Sequence, residues 1–406
     1  MSDPLPHSSP MNMPGNVPPP GDPQARSGNA GHRGMPPPPP RHRSASLSCL
    51  FSLSLLLNFV AVLVFIILCA GFLARNWDPD SPTIPLNELH YSGKRTATAK
   101  IAIIHLDGVI MEGLLSFPHR QIDQAAKDGD VKAVVFRIDS PGGSITASDD
   151  IYRRLMELRS GNDVKGTKGK NIIVSMGSMA ASGGYYIAMP GKTIVAERTT
   201  LTGSIGVYAS FPTIADIEEK HGFQLMNTIR QGEIKDSGSP FRKMTPKEQQ
   251  VWQDMVDTAY DTFLDVVADG RKEYHFNRAK LLEDVEIQPV NAGPARLSKD
   301  AKSYQRYRAD GGVYTADVAL KLNLIDKIGH LDDAIELAKQ EAGGGEFKVI
   351  EYQKPRSLQE LFLGINTRKP GSVLDPGTLR KGLTPRVWYL SPGCECAGAL
   401  GAMEAD

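Results

Sequence analysis

No charged side chain occurs between Leu47 and Leu73, and the only polar residues in that run are Asn58 and three serines. A helix rises 1.5 Å per residue, so the run exceeds the roughly 20 residues needed to cross the hydrocarbon layer. The competing readings are a buried helix and a cleaved leader. A leader's apolar region is only about 7–15 residues long and ends at a small-residue cleavage site, which is not evident here. Cys69 follows Ile66-Ile67-Leu68, without the small residue expected before a lipidated cysteine. Residues 46–73 therefore read as one uncleaved transmembrane anchor. Arg33, Arg41 and Arg43 precede it, whereas Arg75 follows in the company of Asp78 and Asp80. The positive-inside rule then puts the N-terminus in the cytoplasm and everything after Trp77 outside.

The flanks have different compositions. Residues 1–45 hold 13 of the chain's 29 prolines, including Pro36–Pro40, and almost no large apolar groups. Such a segment cannot bury enough surface to offset chain ordering and is expected to be a disordered tail. Residues 74–99 read as a linker away from the membrane. Lys and Arg number 46 against 46 Asp and Glu, so no overall field favours nucleic acid, and none is expected as a partner. The four cysteines are Cys49, Cys69, Cys394 and Cys396, which leaves the middle of the chain without a disulfide framework or a cysteine zinc site. Cys394 and Cys396 supply two ligands, and two do not make a metal site. Neither a metal nor a cofactor is expected.

From Lys100 strands and helices alternate. KIAIIHLDGVI (100–110), KAVVFRIDSPGG (132–143), NIIVSMG (171–177) and KTIVAE (192–197) read as strands. Ile151, Leu155 and Leu158 lie at helical spacing within 144–160. This alternation predicts an α/β fold with a largely parallel sheet over 100–345. A long helix opens at Thr245-Pro246-Lys247-Glu248, a capping box with proline at its first position. Val251, Met255, Ala259, Phe263 and Val267 are expected on its buried face. Residues 271–311 read as a polar, irregular insertion, and its KSYQRYR (302–308) as solvated surface rather than a nucleic-acid or lipid-headgroup patch. Helix–turn–helix patterning returns over 313–342, and FKVIEY (347–352) is a candidate strand. Residues 346–406 are expected to form a C-terminal extension, disordered in part.

Three familiar catalytic schemes are missing: H-E-x-x-H, the phosphate-binding P-loop, and a G-x-S-x-G elbow. The nine histidines are scattered, and His105, on a predicted strand, reads as a core residue. Two glycine pairs do stand out at strand ends. Ser140-Pro141-Gly142-Gly143 follows AVVFRID, and Ser182-Gly183-Gly184 follows the IIVSMG strand. Chemistry in a parallel sheet gathers at the carboxyl ends of strands. Glycines there let backbone N–H groups turn toward a bound oxygen. A serine beside such a nest provides a nucleophile and an oxyanion hole together. The alternative is that both pairs serve only tight turns, and composition leaves the two readings level.

RIDSPGGSITASDDIY, SMGSMAASGGYYIA, TLTGSIGVY and GEIKDSGSPFRKMTPKEQQ occur in that order, followed by GGVYTADVALKLNLIDKIGHLDDAI. From about Lys100 to Leu363 the chain resembles the signal peptide peptidase A (protease IV-like) family of membrane-anchored serine peptidases. The resemblance implies a Clp-protease/crotonase-like fold and assigns Ser182 as nucleophile and Lys235 as general base. It also implies that Ser204 orients the lysine and that the amides of Gly143 and Gly183 form the oxyanion hole. It further implies a homo-oligomer whose active sites are shared between protomers, with serine and lysine meeting across the contact. Gly312 departs from the family's G-R-x-Y-T pattern, which usually has arginine there. A lysine is a base only as the neutral amine, which desolvation favours and a neighbouring carboxylate opposes. The Asp236 carboxylate must therefore point away from Lys235. Lys192, Lys220 and Lys243 are rival bases without the surrounding motif, and Tyr185 and Tyr186 read as packing residues.

The expected activity is an endopeptidase, held by one span in a bacterial cytoplasmic membrane with its catalytic domain outside. Short apolar peptides such as remnant signal peptides are the expected substrates, and the lipid bilayer is the other expected partner. A crotonase-like acyl-CoA enzyme would instead need carboxylates beside the hole. A catalytically silent membrane scaffold would have no use for the serine, the lysine or the glycine nests.

Overall fold

Helix α1 runs from Ala45 to Asn76, 32 residues, or about 48 Å at 1.5 Å per residue. The computed structural model describes residues 45–76, 85–216, 220, 222, 228–287, 303–354 and 386–390. The proline-rich tail expected to be disordered and the cysteine pair Cys394 and Cys396 lie outside the described residues. The chain divides into two units, Met1–Ala70 and Gly71–Asp406. The first contributes Leu50–Cys69, long and apolar enough to cross a membrane. Its large apolar side chains are exposed, Phe51 at 74%. A helix apolar on every side is at home in lipid or in a core, and this one fits a membrane-anchored protein.

The second unit is built on one twisted sheet. It opens with β1 (Asn87–Gly93), β2 (Lys100–Asp107), α2 (Ser116–Lys127), β3 (Val131–Ser140), β4 (Gly142–Ser144) and α3 (Ile145–Ser160). A small hairpin, β5 (Gly161–Asn162) and β6 (Thr167–Lys168), leads into β7 (Asn171–Ala181) and the single-turn helix α4 (Gly183–Tyr186). There follow β8 (Thr193–Ala196), β9 (Leu201–Gly203), β10 (Tyr208–Ser210), the long helix α5 (Pro246–Gly270) and α6 (Arg278–Leu281). The remainder comprises β11 (Asp284–Ile287), β12 (Tyr304–Tyr307), β13 (Val313–Thr315), α7 (Ala316–Lys321), β14 (Lys327–Ile328), α8 (Leu331–Glu341), β15 (Lys348–Gln353) and β16 (Arg386–Leu390).

Strand order is β1-β15-β2-β3-β7-β8-β14, and β9 continues from β7 to β13. Every pairing from β15 to β14 is parallel, and β1 and β13 add antiparallel edges. This is the α/β, Clp-protease/crotonase-like fold with a largely parallel sheet. Both faces are covered, which explains the unbroken apolar runs of the strands. Ile101, Ile103, Val135, Ile173 and Val195 pack under α8 on one face. Ile104, Phe136, Val174 and Met176 face α3, α4 and α5 on the other. The sheet draws β1 from within residues 74–99 and β15 from beyond residue 345, and these two edge-side strands pair with each other.

Local signals carry over closely in several places. Thr245 and Glu248 form the capping box of α5, and Ile151, Leu155 and Leu158 are buried on α3. Met255, expected on the buried face of α5, is 49% exposed instead. A four-residue step advances about 40° beyond a full turn, so a long i+4 series winds off the contact face. The buried apolar side chains are Phe263, Leu264, Val266 and Val267. Strand β7 also runs four residues past Gly177, because Met179–Ala181 pair with Leu201–Gly203. Within the polar insertion, β11 and β12 pair as a hairpin.

A nearly buried ion pair joins α5 to the loop before β14. Arg271 donates to Asp326 through both terminal nitrogens, at 3.0 and 2.7 Å, and its side chain is 3% exposed. Burial alone would raise the Asp326 carboxyl, but Arg271, the Tyr274 hydroxyl and the Ile194 amide outweigh it and hold it below 3.8. A depressed carboxyl contributes stability that is present above its unfolded value and lost as pH falls through the folded one. Asp326→Asn should destabilise the domain by about 3–5 kcal/mol at pH 7, read by urea unfolding. The difference from wild type should shrink below about pH 4, as the wild-type carboxyl itself becomes protonated.

Candidate active site

The carboxyl ends of β3 and β7 lie side by side, and both are tied down by short polar groups. Asp139 accepts from the Ser178 hydroxyl at 2.6 Å and from the Met179 amide at 3.2 Å. Ser140, fully buried, accepts from the Gly142 amide at 3.1 Å. Gly142 has φ +100°, and Gly143 has no room for a Cβ, which would fall on the Ile110 carbonyl. Ile110 donates to Gly142 O at 2.9 Å and accepts from Ser144 N at 2.8 Å. Glycine is required here because backbone packs directly on backbone.

Ser182 ends β7 in a conformation that side chains rarely take, φ 54° and ψ −116°. These angles match the first central position of a type II′ turn, normally glycine. The turn is held by Ser182 N–H donating to Gly203 O at 2.8 Å. It is held also by Ser182 O accepting from the amides of Tyr185 and Tyr186, both at 2.9 Å. Ser182 is fully buried, and its Oγ has no hydrogen-bond partner among the described residues. A buried hydroxyl without a partner costs about 1–3 kcal/mol, on top of about 1–3 kcal/mol for the backbone. Gly183 is hemmed in: a Cβ there would stand 2.5 Å from Ser148 Oγ and 3.2 Å from both Gly142 Cα and Gly143 N. Gly183, directly after Ser182, therefore lies against the Gly142-Gly143 backbone.

Ser204 lies close by, at the end of β9, and also has positive φ, 51°. Its amide donates to Gly312 O at 2.9 Å and its hydroxyl to Gly311 O at 3.0 Å. A hydroxyl that has spent its proton on a carbonyl still has lone pairs to accept from an N–H. Ser204 lines a cleft of about 640 Å³ with Val207, Tyr208, Val256, Tyr260 and Gly311. At Gly312 a side chain would collide with the Arg306 guanidinium. That guanidinium binds Asp310 at 2.6 and 2.7 Å and sits 4.0 Å over the Tyr314 ring. Arg306, from the KSYQRYR stretch, thus lies where a side chain at position 312 would begin.

Lys235 is exposed, on the turn over 231–238, and has no ion-pair partner among the described residues. It makes no hydrogen bond to Ser182 within one chain, since Ser182 Oγ is unpartnered. Asp236 is turned toward two guanidiniums: Arg242 at 2.7 and 2.8 Å and Arg230 at 2.6 and 2.8 Å. Arg242 and Arg230 hold its carboxyl well below the usual carboxylate range. Arg242 also reaches Glu248, at 2.8 Å through Nη1, which ties the turn to the first turn of α5. Of the rival lysines, Lys243 pairs with Asp216 at 2.6 Å and Lys192 with Glu341 at 2.5 Å, and Lys220 is exposed.

Three neighbours of the site carried no signal in the sequence. Glu112 accepts a short hydrogen bond from Ser144 Oγ, one residue from Gly143. His119 Nε2 lies 2.9 Å from Asp150, and neither makes a hydrogen bond to Ser182 Oγ. Strand β16 pairs with β4 itself. Tyr185 and Tyr186 are buried packing residues that donate to Leu324 O and Asp149, both at 2.7 Å. His105 is half-buried, 3.4 Å from Glu351.

The sequence profile of Peptidase family S49 matches residues 165–280, a span that includes Ser182, Ser204 and Lys235. A putative protease of Synechocystis sp. is 32% identical over 269 residues, which are 64% of this chain and 83% of the relative. Protease 4 of Salmonella typhi is 31% identical over 280 residues, 67% of this chain and 39% of the relative. A putative signal peptide peptidase SppA of Enterococcus faecium is 33% identical over 233 residues, 57% of this chain and 58% of the relative. The chain thus spans well under two thirds of the length of Protease 4.

Stored strain at Ser182 has a measurable consequence. Ser182→Gly should raise stability by about 1 kcal/mol in urea unfolding, because glycine takes the observed angles without strain. Ser182→Ala keeps the Cβ, and only the loss of the unpaired hydroxyl would be read.

Proposed function

This chain belongs to the signal peptide peptidase A family, peptidase family S49, and on that premise we propose that it is a membrane-anchored serine endopeptidase using a Ser182–Lys235 dyad. The observation that carries the reading is the buried, unpartnered Ser182 hydroxyl on a strained turn beside the Gly143 and Gly183 backbones. Strain and a missing hydrogen bond at one residue are costs that a packing serine would not need. In the reaction, Ser182 Oγ attacks the peptide carbonyl while its proton passes to the neutral amine of Lys235. The amides of Gly143 and Gly183 receive the oxyanion, the lysine returns the proton to the leaving amine, and a serine ester remains. Water, deprotonated by the same lysine, then releases the acid and frees Ser182.

Lys235 reaches the serine of a neighbouring protomer in this proposal, with Ser204 as its guide. Ser204 is anchored through its proton to Gly311 and so offers lone pairs to a lysine N–H at the cleft. The clamp on Asp236 removes the one adjacent carboxylate that would hold that amine cationic. Short apolar peptides such as remnant signal peptides are the proposed substrates. They would be cut outside a bacterial cytoplasmic membrane, with the N-terminus of the enzyme inside. A crotonase-like reaction would need a carboxylate aimed into the hole. Glu112, on the strand side of Gly143, is instead engaged by the Ser144 hydroxyl, and such a reaction gives the strained Ser182 nothing to do.

Lys235→Ala should lower kcat on a short apolar peptide about 10²–10⁴-fold, and Ser182→Ala should abolish labelling by a fluorophosphonate. Coexpressing the two inactive chains should restore part of the activity, because mixed oligomers contain sites with both residues. Full activity in Lys235→Ala would remove the lysine from the mechanism, and mixed oligomers without activity would place both groups in one chain.

A further inference from the structure

The strand order β10-β16-β4 puts Arg386–Leu390 between two strands that do not pair with each other. On one side Trp388, Tyr389 and Leu390 lie opposite Ser144, Gly143 and Gly142. On the other, Arg386, Val387 and Trp388 lie opposite Ser210, Ala209 and Tyr208. Both pairings are antiparallel. Neighbouring strands are about 4.8 Å apart, so removing β16 would leave a slot one strand wide, with an unpaired edge on each wall.

The hydrogen bonds of β4 identify what β16 occupies. Gly142 O and Ser144 N are both committed to Ile110. Successive residues of a strand present their polar groups to opposite edges. The N–H and C=O of Gly143 therefore face the other edge, where Tyr389 is the partner. By the same alternation Trp388 turns its polar groups to Tyr208. The amide that the proposed mechanism gives to the oxyanion is thus the one at which β16 is seated. An extended chain held by main-chain bonds on both sides is also how a peptide adds to a sheet, and RVWYL is itself largely apolar.

We propose that Arg386–Leu390 is a built-in pseudosubstrate, a plug that fills the peptide slot between Gly142–Ser144 and Tyr208–Ser210 and must withdraw before a peptide enters. The proposal rests on the peptidase reading for its consequence, though not for the pairing itself. A tethered plug competes at an effective concentration on the order of millimolar, so it screens out weakly held peptides.

The test uses the full-length chain. Tyr389→Pro removes the N–H directed at Gly143, and a proline is not tolerated in a strand paired on both edges; Tyr389→Val retains the N–H and serves as control. Hydrogen exchange at Gly143 and Tyr208 should quicken at least tenfold in Tyr389→Pro alone, with protection of β3 and β7 unchanged. In a Ser182→Ala background, a fluorescein-labelled peptide of residues 385–391 should bind at least tenfold more tightly to Tyr389→Pro than to the control. Equal exchange and equal binding in the two would overturn the plug. If Tyr389→Pro with Ser182 intact binds peptides tightly yet hydrolyses none, the plug stands and the peptidase reading fails. If peptides are hydrolysed at one rate by both variants, with equal binding, the plug fails and the peptidase reading stands.

Discussion

Close packing around three glycines, Gly143, Gly177 and Gly183, leaves no room for a Cβ at any of them, and the shape of the candidate site depends on it. Gly143 lies against the Ile110 carbonyl, Gly177 against the Asp139 side chain, and Gly183 against the Ser148 hydroxyl and the Gly142 backbone. With no side chain at positions 143 and 183, the loops that follow β3 and β7 come into direct contact. The same crowding holds Ser182 at a φ that an L residue avoids. The sheet supplies the restoring force, since Ser182 N–H continues the β7–β9 pairing through Gly203.

What the sequence revealed and what it hid divide along a physical line. Local features were legible: the capping box at Thr245 and Glu248, the α3 stripe of Ile151, Leu155 and Leu158, and the strand ends at Ser140–Gly143 and Ser182–Gly184. Each depends on residues within one turn or one strand. Pairings across long stretches of chain were not legible. β1 and β15 join across more than half the chain, and β16 seats against a glycine loop far upstream. No periodicity within those short stretches specifies a partner. The role of Arg306 was hidden likewise, because stacking on Tyr314 and filling the space over Gly312 follow from the return of a hairpin.

The two halves of the proposed dyad occupy contrasting environments. Ser182 is sealed in the core, whereas Lys235 lies on an exposed turn whose shape is set by Arg230, Asp236, Arg242 and Glu248. The turn is held firmly, although the Lys235 side chain is exposed and has no ion-pair partner among the described residues.

The central claim is that Ser182, and no other serine, is poised for covalent attack by virtue of its fold. The direct measurement is peptide mapping by mass spectrometry after a fluorophosphonate has reacted with the assembled protein at neutral pH, with a urea-unfolded sample alongside. The account predicts a single adduct on Ser182 in the native protein and none in urea. An adduct on a different serine, or equal modification of Ser182 in both samples, would contradict it.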